Sequence, residues 1–345
     1  MKKLFLVALL CSVLAVTMTS CGNNGNSAGS SDGDVIKWKL QNSYGPGDQT
    51  WDIQMPMLVE AIEEATDGKL QIEVYQPGAI CEPEQAPASV SKGMFECAMS
   101  TAGDTGVIVP AAYAEQGIPY YWENQMEMYE TYYEFGLLDY LRDQYDKENI
   151  YYGMPVPNGK YAMMTSFPIK SVDSVKGKKI RAVSSWAYFV KNLGGTPVSS
   201  ITGGEIYQAI KLGTVDGCIF TFAELKGSGL CEVVNYVTAQ PPSGSGYVNF
   251  IVNKDAWEAL PEEMQEDINK AMEKVYPEIT EKCIEADEDA EKFAKDSGVK
   301  ILKLNDKTLK AFQDVGLATS KQVADENPEA AKGLDIVKEW YKSKK

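Results

Sequence analysis

Of the 33 basic residues only Arg142 and Arg181 are arginines, and histidine is absent altogether. A guanidinium is a permanently charged, planar fork that can meet a carboxylate with two parallel hydrogen bonds, which a lysine ammonium cannot do. In a chain that otherwise uses lysine for solubility, an arginine marks a position where that geometry counts. Arg142 falls in Leu137-Leu138-Asp139-Tyr140-Leu141-Arg142-Asp143, an amphipathic helix pattern in which a surface ion pair is the expected role. Arg181 falls in a strand pattern, Lys178-Lys179-Ile180-Arg181-Ala182-Val183, and is the candidate for gripping an acid. The lack of histidine excludes Ser-His and Cys-His nucleophilic pairs and histidine-containing zinc sites. Asp and Glu are plentiful but show no signature pair of the kind a glycosidase needs. Cys81, Cys97, Cys218, Cys231 and Cys283 are widely spaced without a CxxC pair. They are expected to be mostly buried free thiols, with room for one pair and no metal cluster.

The balance of 49 acidic against 33 basic side chains gives a formal charge of −16. Such a surface repels phosphate backbones, so nucleic acid is not an expected partner. It also means that any carboxylate ligand must be captured against the overall field.

The elements that position Arg181 can be laid out from the N-terminus. Lys2 and Lys3 precede an apolar run from Leu4 to Val16 that is too short to span a bilayer, the pattern of a secretory signal over residues 1–20. Met18-Thr19-Ser20-Cys21 is similar to a bacterial lipobox, which implies lipidation at Cys21. Residues 21–34, rich in Gly, Asn and Ser, are expected to be a flexible tether. From residue 36 onward, period-2 and period-3.6 patterns alternate: strand 36–40, helix 51–66, strand 70–75, helix 84–92, strand 95–100. The pattern restarts with strands near 150–155, 161–166 and 178–183, a helix 186–193, a helix 205–212 and a strand 215–219. A strand at 246–252 follows, and the rest is largely helical. This is the grammar of an α/β protein with two parallel-type sheets, whose ligands sit beyond the carboxyl ends of the strands. That rule puts Tyr44 and Thr101 at the rim of a cleft.

Lys176-Gly177-Lys178-Lys179-Ile180-Arg181-Ala182, followed by Leu193-Gly194-Gly195-Thr196-Pro197-Val198, resembles the central signature of the solute-binding proteins of tripartite ATP-independent (TRAP) transporters. The likeness continues through Gly204 to Gly217 and at Val252-Asn253-Lys254-Asp255-Ala256-Trp257-Glu258-Ala259-Leu260-Pro261. Upstream, Glu64 to Leu70 and Val90 to Gly93 fit the same pattern, so that the resemblance spans roughly residues 36–300.

The resemblance implies a two-domain clamp of the periplasmic-binding-protein type with long C-terminal helices. Its expected division is 35–157 with 247–285 as one domain and 158–246 with 286–345 as the other. No enzyme activity, metal or cofactor is expected. The implied partners are a small organic acid and membrane permease subunits, and the implied place is extracytoplasmic, with the membrane reached through the lipid on Cys21. In the family an arginine at the position of Arg181 pairs with the ligand carboxylate. Two departures qualify this. Asn158-Gly159-Lys160-Tyr161 lacks the second arginine many members carry, leaving Lys160 or Tyr161 to donate a hydrogen bond. Cys218-Ile219-Phe220-Thr221-Phe222 lacks the usual asparagine. With Phe220 and Thr221 there, a monocarboxylate with an aromatic or aliphatic body is favoured over dicarboxylates and sugar acids. Trp186, beginning a helix just after Arg181, is placed either over the ligand or packed beneath it. The rival readings are a receptor of an ATP-driven importer, a secreted carboxylate-pair hydrolase, and a structural surface lipoprotein.

Overall fold

In strand β1 (Ile36–Asn42) Trp38 and Leu40 point inward while Lys37 and Lys39 point out, the alternation expected of a strand with one covered face. The computed structural model describes residues 35–240 and 242–344. The expected signal segment, Cys21 and the tether lie outside the described residues.

Two sheets form the body. The first has the order β2-β1-β3-β10-β4, with β2 Leu70–Tyr75, β3 Cys97–Ser100, β4 Ile150–Asn158 and β10 Gly246–Asn253. The second has the order β11-β9-β5-β8-β6-β7, with β5 Tyr161–Thr165, β6 Lys179–Arg181, β7 Thr196–Val198, β8 Gly217–Thr221, β9 Tyr236–Thr238 and β11 Lys300–Leu302. The strands around both candidate ligand loops are parallel, as expected: β1 with β2 and β3, and β6 with β7 and β8. The sheets are nonetheless mixed. β10 runs antiparallel to β3 and β4, and β5 runs antiparallel to β8 and β9, because each enters its sheet directly from the other lobe.

The helix Glu262–Asp296, 35 residues long, ties the lobes together. At 1.5 Å per residue it extends about 50 Å. Its Met272, Ile279 and Cys283 pack in the first-lobe core with Trp38 and Leu40, whereas Ala290 and Ala294 pack in the second with Ile206 and Phe222. The helix Asp306–Glu326 lies on the second lobe, with Phe312 against Phe189 and Tyr120. The last helix, Pro328–Ser343, returns to the first lobe: Ala330, Leu334, Val337 and Trp340 join Ala111, Leu137 and Tyr140. This differs from the expectation that all of 286–345 goes with the second lobe. An amphipathic face announces that a helix will pack, not against what.

One further expectation changes. Arg142 makes no ion pair among the described residues. It is half-buried and donates to the Tyr152 and Gly153 carbonyls, both at 3.1 Å, and to Asn269 Oδ1 at 2.9 Å, with its guanidinium over the Tyr151 ring. It therefore stitches helix 137–145 to β4 and to the long helix. The five body cysteines are all free, four of them buried. A feature without a counterpart in the sequence reading is Glu115, fully buried, which accepts from Tyr145, from Tyr152 at 3.2 Å and from Asn249 at 3.1 Å. Burial pushes its carboxyl up to about 7 despite those donors.

Candidate ligand-binding site

The carboxyl end of β1 prepares one wall of a cleft between the lobes. Gln41 and Asn42 are buried there and spend their side chains on local backbone. Gln41 receives the Ile80 and Cys81 amides at 2.8 and 3.0 Å, pinning the neighbouring loop. Asn42 Oδ1 receives the Tyr44 amide at 3.0 Å, which fixes where the Tyr44 ring leaves the chain. After β3, Thr101 begins a helical turn, and its hydroxyl donates to Asp104 Oδ2 at 2.9 Å.

The opposite wall comes from the end of β6, where Arg181 pairs in register with Val198 of β7 and Cys218 of β8. Ser184 follows with φ +56° and ψ −139°, a conformation that costs a non-glycine residue about 1–3 kcal/mol. Its buried hydroxyl has no partner among the described residues and lies close to Gly103 of the first lobe. Ser185 and its amide both donate to Gln116, another link across the lobes.

Between these walls is a cavity of about 240 Å³ that holds Ser43, Tyr44, Thr101 and Asp104 from the first lobe with Arg181 and the 199–203 loop from the second. It adjoins a larger chamber of about 570 Å³ that shares Tyr44, Glu84 and Gly203 and opens past Asp48 and Glu82. Arg181 is only 5% exposed. Its Nε donates to the Ile201 carbonyl at 3.0 Å, and its guanidinium carbon sits 5.4 Å from the centre of the Phe220 ring. Its two terminal nitrogens have no hydrogen bond or ion pair among the described residues. A buried cation without a counterion is costly unless something else supplies the charge.

Tyr44, Thr101 and Arg181 thus meet in one cavity. Phe220 lies directly behind, its ring 6.4 Å from that of Tyr44. Tyr161 is near enough for Arg181 to oppose the burial that pushes its hydroxyl up to about 12. Burial likewise raises Tyr44 well above its ordinary value. Both phenols stay protonated at neutral pH, and neither hydroxyl is engaged by a described residue.

Trp186 does not reach the cavity wall. It is buried in the core beneath Tyr161, ring centres 5.5 Å apart, and edge-on to Phe189. Thr221 is also buried behind the wall, paired in the ladder with Tyr161. Lys160 points elsewhere: its ammonium is 3.6 Å from Glu291 and 4.2 Å above the Phe222 ring. Lys160 lies in the short turn between β4 and β5, where its amide donates to Asp287 Oδ2 at 2.9 Å and ties it to the long helix.

The sequence reading missed Asp104, Asp48 and Glu224. Asp104 could have been found, being three residues past Thr101 in the loop at the carboxyl end of β3. Burial pushes it up to about 6, with the Thr101 hydroxyl and Arg181 pulling the other way. Among the described residues no group of three or more acids or thiols is arranged to hold a metal.

Two mixed α/β lobes joined by crossing strands and a shared helix, with a lone buried arginine in the cleft, define a solute receptor of the clamp type. The model of the bacterial extracellular solute-binding proteins, family 7, matches residues 42–327, and the chain belongs to that family, the receptors of TRAP transporters. A solute-binding protein of Chromohalobacter salexigens is 26% identical over 271 residues, 78% of this chain and 79% of the relative. A monocarboxylate 2-oxoacid-binding periplasmic protein of Nostoc is 24% identical over 254 residues, 72% and 68% of the two chains. Among solved structures, a TRAP solute-binding protein of Bordetella bronchiseptica, with copurified calcium and picolinate, superposes with a TM-score of 0.81 at 21% identity, covering 90% of this chain and 93% of that one.

Proposed function

We propose that this chain is the extracytoplasmic receptor of a TRAP importer for a small monocarboxylate with an apolar body, such as a keto or aromatic acid. It passes the acid to membrane permease subunits. The observation that carries this reading is Arg181, a buried cation that lines the cavity between the lobes and whose terminal nitrogens are unclaimed by any described residue. A carboxylate there receives two parallel hydrogen bonds from the guanidinium, each worth roughly 1.5–3 kcal/mol when charged groups take part. Tyr44, which lines the cavity with a free hydroxyl, and Tyr161, which lies behind the wall near Arg181, are our candidates to stand in for the missing second arginine, and Phe220 backs Tyr44 from behind the wall. Relatives binding 2-oxoacids and C4-dicarboxylates are consistent with an organic acid.

The lobes close as a hinge, bending at 158–161 and 242–246, because the solute touches both walls only when they meet. A lipid on Cys21 holds the receptor at the outer face of the membrane. Calorimetry on a panel of keto, hydroxy and aromatic monocarboxylates tests the reading. The wild type is expected to bind at least one of them, and Arg181→Ala is expected to abolish binding with the melting curve little changed. Retained affinity in Arg181→Ala sinks the role. For the anchor, Cys21→Ala is expected to move the protein from the membrane fraction into the soluble one.

A further inference from the structure

The charges around the cavity do not suit a plain anion. Besides Arg181, the ionisable side chains of opposite sense that line the two adjoining chambers are Asp48, Glu82, Glu84 and Asp104, and no other cation lines them among the described residues. Asp104 shares the 240 Å³ cavity with Arg181, yet the two are not ion-paired among the described residues. Its tie is to the Thr101 hydroxyl, which leaves its charge unneutralised. A ligand bearing only a carboxylate would bring a second negative charge beside Asp104, and one guanidinium cannot offset both. A ligand carrying a carboxylate at one end and a cation at the other meets complementary charge at each. The acidic mouth formed by Asp48, Glu82 and Glu84 also raises the local concentration of solutes that carry a positive group.

We propose that the solute is zwitterionic, a small amino acid or similar amine-bearing carboxylate, with its carboxylate on Arg181 and its ammonium on Asp104. This rests on the carboxylate role of Arg181 and narrows the monocarboxylates above to those with an amine. Asp104 is then the residue that selects, since it separates an amino acid from the keto or hydroxy acid of the same side chain. Tyr44, backed by the Phe220 ring, and Val183 line the cavity that receives that side chain, which favours apolar ones.

The test is calorimetry, in EDTA, on matched sets: alanine, leucine and phenylalanine, each with its 2-oxo and 2-hydroxy acid and its decarboxylated amine. At least one amino acid is expected to bind about tenfold or more tightly than its 2-oxo and 2-hydroxy partners, and the amines are expected not to bind. Asp104→Asn should erase the preference, bringing amino and oxo acid within about threefold, while a 2-oxo acid keeps or gains affinity. The proposal is overturned if no amino acid binds, if an oxo or hydroxy acid binds as tightly as its amino partner in the wild type, or if Asp104→Asn leaves the ratio unchanged. Binding that appears only with added calcium overturns it too, assigning Asp104 to a cation instead. Acids that still bind Arg181→Ala would remove the underlying carboxylate reading, an outcome separate from any result with Asp104→Asn.

Discussion

Glu224 Oε1 accepts the backbone amide of Gln49 at 3.4 Å, so a carboxylate of the second lobe closes onto a first-lobe loop, next to the carboxyl of Asp48. Ser228 donates to its other oxygen. Burial first, and the facing Asp48 second, push Glu224 up to about 8, and burial pushes Asp48 up to about 6. Asp52 adds repulsion to both. Nearby lysines are already engaged, Lys226 with Asp289 and Lys160 with Glu291.

The pH dependence follows from the sign of these shifts. A carboxyl raised in the folded, closed protein binds its proton more tightly there than in the unfolded or opened chain. The stabilisation is therefore complete below about pH 4, the ordinary carboxylate value, and is lost as pH climbs through about 6 and then about 8. The melting temperature of the ligand-free protein should drop by several degrees between pH 5 and pH 8.5, and Glu224→Gln should flatten that slope. An equally steep slope in the variant would remove Glu224 as its source.

Tyr161→Phe should weaken solute binding by about tenfold, the loss of one hydrogen bond to a charged acceptor. Lys160→Met should leave affinity unchanged, since its ammonium is over Phe222 and beside Glu291. Calorimetry on the two variants side by side distinguishes them. The reverse order of effects would mean that the wrong neighbour has been assigned to the cleft.

Gly203 lies where a β-carbon would come 3.1 Å from the Tyr44 ring and 3.4 Å from the Phe220 ring. Gly203→Val should therefore wedge the cavity wall and cut affinity more than tenfold, with far-ultraviolet circular dichroism unchanged. Wild-type affinity in this variant would show that the wall yields.

Burial pushes the Cys218 and Cys283 thiols up to about 12 and Cys97 well above its ordinary value, so their nucleophilic thiolates are scarce at neutral pH. Cys81 is only half-buried. Ellman's reagent on a protein beginning at residue 35 should find one fast thiol, removed by Cys81→Ser, with the rest released only in denaturant.

Glu115→Ala should cost ~3 kcal/mol or more of folding stability in a urea melt, because the Tyr145, Tyr152 and Asn249 donors would be left buried and unpaired. Glu115→Gln keeps two acceptor positions and should cost less. Equal losses would mean that packing, not hydrogen bonding, holds that core.

What the sequence made legible was local. Alternation gave β1 and β2, with β2 at Leu70–Tyr75 as read, and the scarcity of arginine pointed to the one buried cation in the cleft. The ends of strands located Tyr44 and Thr101 for the same reason, since parallel strands deliver their loops to one edge. The failures are of another kind. Asp48 and Glu224 are 176 positions apart and become neighbours only because the lobes meet, which no spacing rule encodes. Arg142 looked like a surface charge because its helix is amphipathic; its carbonyl partners lie on β4, invisible until that strand is placed. The sequence allows Trp186 two places, over the ligand or beneath it, and its packing against Phe189 and Tyr161 puts it beneath the wall.

The return of the helix Pro328–Ser343 to the first lobe has a practical consequence. Strand β1 and this helix both belong to that lobe, so under the proposed hinge closure a reporter fused near either one would ride on the same jaw and stay mute when the other swings. A biosensor made from this receptor needs one fluorophore at the carboxyl end and the second spliced into the turn at Leu212 and Gly213, where Leu212 is 77% exposed on the opposite jaw.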